Sequence, residues 1–316
     1  MNPLQSPIQP AAAALATVDG MTRLAHLGVI RVEGEDAAKF LHGQLTQDFS
    51  LLGLEQARLA AFCNAKGRMQ ASFVGFKRSQ TDILLVCSRD LLAATLKRLS
   101  MFVMRAKAKL SDASEDFVLY GLAGSATLPL AAQTPWSAMQ DGAASVIMLY
   151  PALGVQRQLW VAPADAALPQ AATLPLERWL WSEVHSGVAT LSQPVFELFV
   201  PQMLNFESVG GVNFKKGCYP GQEVVARSQF RGTLKRRSFV VHADAALSAG
   251  QEIFSSLDAE QAVGVVVQAA ESPQGGWDAI VCLQLSALPS GSLHGGSGTG
   301  PALDMLPLPY ALLEDI

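Results

Sequence analysis

Beyond Lys235 the chain breaks into short β-rich segments, RRSFVVHA, QEIFSS, AVGVVVQAA and GWDAIVCLQLS, separated by Gly, Ser and acidic turns. Strands this short and this regularly punctuated fit a small barrel or sandwich, so residues 236–316 are expected to form an all-β unit. Its last connection, PSGSLHGGSGTGP, is low in complexity and is expected to be a mobile loop.

Upstream the pattern is mixed. Ala37, Phe40, Leu41 and Leu45 follow the spacing of one helical stripe, which predicts a helix over residues 35–49. Strand-like runs follow at 60–63, 69–76 and 83–87, the last two joined by a polar KRSQTD hairpin loop. Ser88 suits the cap of a helix carrying Leu91, Leu92, Thr95, Leu96 and Leu99 on one face. Residues 101–110 and 117–122 read as extended, as do shorter pieces at 146–150 and 158–162. A further helix is expected after Pro175, with Gly187 as its stop. The class expected is α+β over residues 21–235, followed by the β unit, with residues 1–20 a flexible tail.

Composition removes several alternatives. With 50% hydrophobic and 16% charged residues, global disorder is excluded. A formal charge of −4 gives no support to a globally basic nucleic-acid binder. The long uncharged stretches, 117–140 and 279–303, are broken by Gly and Pro, so no membrane span is expected. The N-terminus has no basic residue before its alanine run and is a poor secretory signal, which points to the cytoplasm. Cys63, Cys87, Cys218 and Cys282 are too far apart for a CxxC pair, which argues for a reducing compartment. The histidines at 26, 42, 185, 242 and 294 lack ligand spacing, and no stable metal is expected.

Charge is distributed unevenly. Residues 58–78 and 97–109 carry basic residues with no acid, and 215–237 carries seven basic residues against Glu223 alone. Either these segments converge on an anion (a polycarboxylate, a phosphate ligand or RNA) or they are three solvated faces. The densest constellation is Lys215-Lys216-Gly217-Cys218-Tyr219-Pro220-Gly221-Gln222-Glu223. Tyr-Pro-Gly-Gln has the composition of a tight turn, and a short helix is expected from Glu223 to Arg227. Two lysines and a helix start beside Cys218 favour its thiolate; a structural cysteine in a glycine-rich turn is the other reading. No adjacent histidine supplies a base for Cys218, so a protease-like Cys–His pair is not supported.

KGCYPGQE, preceded by FVPQMLNFESVGGVNF and followed by VVARSQFRGTLKRR, resembles the signature of the YgfZ family, folate-binding relatives of the glycine-cleavage T-protein. The resemblance extends to FLHGQLTQD at 40–48, CNAKGRM at 63–69, MRAK at 104–107 and LPLPY near the end. It implies a T-protein-like ring of three domains, two α+β folate-binding-like domains and a C-terminal β-barrel, with tetrahydrofolate or a derivative bound centrally. The implied role is support of iron–sulfur cluster assembly or repair in client enzymes, including tRNA-modifying ones. Lys216 and Cys218 match the family's functional lysine and cysteine, and Tyr219, Gln222 and Glu223 match the rest of its motif. Arg105 and Arg227 are the expected holders of the folate carboxylates. The implied partners are folate and iron–sulfur client enzymes or assembly proteins, and a monomer is the family expectation.

The T-protein enzymes use an aspartate near the folate nitrogen. No Asp or Glu occurs between Leu59 and Thr81, the matching region, so aminomethyl transfer lacks an acid/base group there unless one arrives from elsewhere in the fold. A folate-dependent aminomethyl or methyl transferase is therefore the second reading. Direct RNA binding ranks last, for want of an RRM-type aromatic signature.

Overall fold

The computed structural model describes residues 17–230, 234–288 and 291–313. The first sheet gathers β2 (Leu27–Glu33), β3 (Ala57–Cys63), β4 (Met69–Ser79), β5 (Asp82–Ser88) and β6 (Lys109–Asp112). Their order is β3-β4-β5-β2-β6, and all pairs are antiparallel. Apolar runs such as ILLVC in β5 arise because both faces are buried, and successive side chains alternate between them. One face packs Ile30, Phe62, Phe73 and Leu85 under helices α1 (Ala37–His42) and α2 (Arg89–Ser100). The other presents Leu59, Ala61, Leu84 and Val86 to the central core.

The second sheet has the order β1-β7-β10-β9-β8. It joins β1 (Gly20–Arg23) to β7 (Phe117–Ala123), β8 (Ala138–Asp141), β9 (Ala144–Met148) and β10 (Arg157–Pro163). Helix α3 (Leu176–His185) sends Trp179, Trp181 and Val184 into the central core. Beyond it, α4 (Gln222–Phe230) leads towards a closed barrel. The barrel strands are β11 (Arg236–Ala243), β12 (Glu252–Ser255), β13 (Asp258–Glu271), β14 (Trp277–Gln284), β15 (Leu293–Gly295) and β16 (Ala302–Leu306). They close in the order β11-β14-β13-β12-β15-β16 around Val241, Ile253, Val266 and Val281. Asp278 on β14 ties the barrel to α3: Oδ2 accepts from Trp181 Nε1 at 2.5 Å and meets His185 Nε2 at 2.7 Å, while Oδ1 meets His242 Nδ1 at 2.7 Å.

Four expectations change. The helix expected over 35–49 stops at His42, because Leu45 bridges to Phe62 and Thr46 Oγ1 bonds both Ala61 N and Gly211 O. The apolar spacing at Leu45 thus belongs to a β contact. Residues 101–108 form turns, with Met104 at φ 43°, and only Lys109–Asp112 is a strand. The glycine-rich connection contains β15, which closes the barrel between β12 and β16; Pro289 and Ser290 lie outside the described residues. Residues 1–16 of the expected tail also lie outside them, but Val18 is fully buried and Gly20 opens β1, so residues 18–20 belong to the fold.

Candidate functional site

The KGCYPGQE segment is built on a turn. Gln222 N–H donates to Tyr219 O at 3.2 Å, and Gly221 takes φ +80°, the left-handed geometry of the third residue of a type II turn. The turn lies against the 64–68 loop between β3 and β4. That loop is closed by Asn64 Oδ1, which accepts from Lys66 N at 2.9 Å and Arg68 N at 3.1 Å. A Cβ on Gly221 would stand 2.4 Å from Asn64 O, and one on Gly67 would stand 3.0 Å from Val224 Cβ. Two of the sequence blocks therefore meet through paired glycines that let their backbones touch.

Lys216 sits beneath this turn, 8% exposed. Its Nζ donates to His42 O at 2.5 Å, Leu45 O at 3.0 Å and Gly217 O at 3.2 Å, and lies 4.5 Å from the Tyr219 ring centroid. An ammonium has three donor hydrogens, so the three carbonyls match its capacity. Burial lowers its pKa to about 8, against the opposing influence of Asp48 and Cys218. Tyr219 is buried, and burial raises its phenol well above the ordinary value.

Cys218 is exposed, whereas Cys63, Cys87 and Cys282 are buried. Burial raises each of those three thiols to about 12, so they stay protonated at neutral pH. Beside Gly217 stands a pair the sequence reading missed. His42 Nδ1 lies 3.0 Å from Asp48 Oδ1, and His42 Nε2 is 3.4 Å from where a Cβ on Gly217 would stand. Burial acts to raise the Asp48 pKa, but the Leu51 N–H and His42 outweigh it and leave the carboxyl below its ordinary value. Both residues lie in FLHGQLTQD, where nothing local signals that the fold will bring them to Gly217.

A carboxylate does arrive at the acid-free 59–81 region. Glu197, at φ 60°, comes from the loop after α3; its Oε1 accepts from Asn64 Nδ2 at 2.9 Å and Gln70 Nε2 at 2.6 Å. These two hydrogen bonds, followed by the charges of Arg98 and Lys66, hold its pKa below the ordinary value. No sequence signal marks it, since it stands far along the chain from its partners.

The remaining candidates are dispersed. Arg227 and Glu223 are exposed on α4 and Arg105 is exposed too; none of the three forms an ion pair among the described residues. Gln222 Nε2 reaches Lys216 O only at 3.5 Å. The basic segments 58–78 and 215–237 meet at the paired glycines, and Arg98 from the middle segment acts on Glu197. Lys107, by contrast, pairs with Glu35 at 2.8 Å on an exposed surface.

Between the two sheets and α3 lies a cavity lined by Trp136, Tyr150, Arg157, Trp179 and Glu183 among apolar side chains. Arg157 is 2% exposed, its guanidinium 4.3 Å from the Trp179 ring centroid, and its Nε has no hydrogen-bond partner among the described residues. Burial lowers its pKa to about 10, partly offset by Glu183. Both Glu183 oxygens are engaged, Oε1 by Trp179 Nε1 and Oε2 by Gln268 Nε2. Arg105, Tyr219, Gln222, Glu223 and Arg227 do not line this cavity. No cluster of three or more His, Cys, Asp or Glu suited to a metal occurs among the described residues, and none of their helices is long and apolar enough to cross a membrane.

A scan against protein-family models finds no match. The chain is 30% identical over 324 residues to the tRNA-modifying protein YgfZ of Klebsiella pneumoniae (strain 342), covering 97% of each. It is also 30% identical over 335 residues to the tRNA-modifying protein YgfZ of Cronobacter sakazakii (strain ATCC BAA-894), covering 98% of each. Among solved structures, the glycine cleavage system aminomethyltransferase T of Bartonella henselae superposes with a TM-score of 0.66 at 16% identity, covering 98% of this chain and 91% of that one. The architecture is therefore the expected α+β, T-protein-like fold with a C-terminal β-barrel. With relatives at this identity along nearly its whole length, and the 40–48, 63–69 and 216–223 blocks in contact with one another, the chain belongs to the YgfZ family.

Proposed function

We propose that this protein is a folate-binding accessory factor that supports assembly or repair of iron–sulfur clusters in client enzymes, including tRNA-modifying ones, through the Cys218 thiol. The observation that carries the reading is the one exposed thiol, set beside a buried lysine ammonium that fixes the surrounding backbone. The relatives' name, tRNA-modifying protein, supports it. A single thiol does not hold a cluster, since the usual clusters take about four protein ligands. Cys218 therefore acts transiently, on iron, on another thiol or in folate-linked chemistry. The partners are iron–sulfur client enzymes or assembly proteins met in the cytoplasm by a monomer; effects on tRNA pass through the client enzyme and need no direct RNA contact.

A reduced folate suits the cavity between the sheets. Its aromatic walls match a flat bicyclic ring, and the unpartnered Nε of buried Arg157 is a donor in want of an acceptor. The exposed Arg105 and Arg227 suit carboxylates of a folate tail reaching outward. Tetrahydrofolate, when bound, supplies one-carbon chemistry. Deleting the gene is expected to lower the activity of a cluster-dependent tRNA-modifying enzyme, with recovery on return of the wild-type chain. Unchanged activity in the deletion strain contradicts the reading.

A second reading, a folate-dependent aminomethyl or methyl transferase, draws support from Glu197, which brings a carboxylate to Asn64 and Gln70. Its two accepted hydrogen bonds and lowered pKa make it a weak base and favour the accessory role. Tetrahydrofolate-dependent transfer by purified protein, lost in Glu197→Gln, would reverse that order.

A further inference from the structure

We propose that the notch around Arg58 is a carboxylate subsite for the tail of the folate, set against the inter-sheet cavity across the indole of Trp136. The assignment rests on the reading of the protein as a folate binder. The notch, of about 280 Å³, lies where the edge strands β3 and β8 of the two sheets meet, and Gln47, Gln56, Arg58, Thr134, Trp136 and Ser137 line it. Backbone closes the seam: Ala57 N–H donates to Trp136 O at 2.8 Å and Ala138 N–H to Glu55 O at 2.9 Å, with Gln56 bridging to Ser137. Trp136 stands at φ 70°, a left-handed conformation that a bulky residue keeps only where its surroundings hold it. They hold it here. Its N–H donates to Met148 O and its indole Nε1 to Val209 O, each at 2.8 Å, and its ring lies 5.7 Å from that of Tyr150. Fixed in this way, one side chain lines both the cavity and the notch.

Arg58 is a half-buried cation held by neutral groups. Its Nη1 donates to Ala57 O at 3.2 Å and its Nη2 to Gln56 Oε1 at 2.9 Å, and it forms no ion pair among the described residues. A guanidinium carries five N–H donors, so the others remain for a ligand. Burial lowers its pKa against the influence of Asp48, but that carboxylate already accepts from Leu51 N–H and faces His42. Among the described residues no acid lines the notch. Gln47 Nε2 is engaged by Gly210 O at 2.6 Å. The Thr134 and Ser137 hydroxyls stand 3.0 Å apart and share one hydrogen bond, which leaves one O–H free to donate. A planar carboxylate, accepting from the guanidinium and this hydroxyl, is the ligand such a set fits. Arg105 and Arg227 line neither the cavity nor the notch, so Arg58 is the arginine placed to meet a carboxylate just outside the cavity.

Anaerobic isothermal titration calorimetry on the full-length protein compares two probes: tetrahydrofolate, and 6-methyltetrahydropterin, which has the ring without the tail. Arg58→Gln is expected to weaken tetrahydrofolate binding about tenfold or more, because it removes charge-assisted hydrogen bonds made by the tail alone. Binding of 6-methyltetrahydropterin is expected to stay unchanged. Arg58→Lys keeps the charge but loses the planar fork, and is expected to recover part of the loss. Thr134→Glu, at an exposed position, puts a charge like the tail's into the notch while leaving Arg58 in place, and is expected to reproduce the pattern. Folded variants, checked by circular dichroism, that bind tetrahydrofolate like wild type overturn the assignment, and so does an equal loss for both probes. A wild-type protein that binds neither probe removes the folate reading itself and the subsite with it.

Discussion

Gly67 and Gly221 stand back to back where the β3–β4 loop meets the YPGQ turn: a Cβ on Gly221 would lie 2.7 Å from Gly67 Cα and 2.4 Å from Asn64 O. No rotamer relieves such a clash, because the opposing atoms are backbone. Gly221→Ala adds the strain of an L side chain at φ +80°. The expected loss is about 2–4 kcal/mol in urea unfolding, with the KGCYPGQE segment displaced. A loss under about 0.5 kcal/mol would mean that the two blocks are not in contact.

Lys216 gives the fold a pH signature. Its pKa falls from 10.5 to about 8 on folding. Below about 8 both states carry the proton, and the folded state bears the full cost of burying the cation. Between about 8 and 10.5 the folded state releases its proton while the unfolded chain keeps it, so this group makes stability rise with pH. Urea midpoints across that window are expected to rise more steeply in wild type than in Lys216→Met. Parallel curves would show the ammonium to be solvated.

Much of this was readable from local pattern. The turn at 219–222, the stop of α3 at Gly187 and the strands of the barrel follow from residues acting on their immediate neighbours. The expected T-protein-like architecture came from motif blocks. What sequence could not convey was which blocks touch. Leu45 has helical spacing from Phe40 and Leu41, yet it bridges to Phe62, a tertiary contact that periodicity alone misassigns. Low complexity hid β15, whose three residues are stabilised by partners on both sides. His42 beside Gly217, and Glu197 on Asn64 and Gln70, depend on loops packing across the fold, which no spacing rule encodes.

Asp278 joins the barrel to α3, and one buried carboxylate serves three side chains. Asp278→Ala leaves Trp181 Nε1 buried without an acceptor and should cost about 3 kcal/mol or more. Burial tends to raise its pKa, but His185, Trp181 and His242 prevail and lower it below 3.8. Its contribution is therefore present at neutral pH and lost as the pH falls through the folded-state value. Acid unfolding of Asp278→Asn is expected to lack this component; an unchanged acid transition would place the stabilisation elsewhere.

The central claim is that the exposed Cys218 thiol carries the accessory function. Its most direct test is Cys218→Ser in the native host, with tRNA methylthiolation measured under mild oxidative stress and protein abundance measured in the same cells. The side chain is exposed, so the substitution should leave abundance unchanged. Activity is expected to fall while abundance holds; wild-type activity at equal abundance would make Cys218 dispensable and contradict the account.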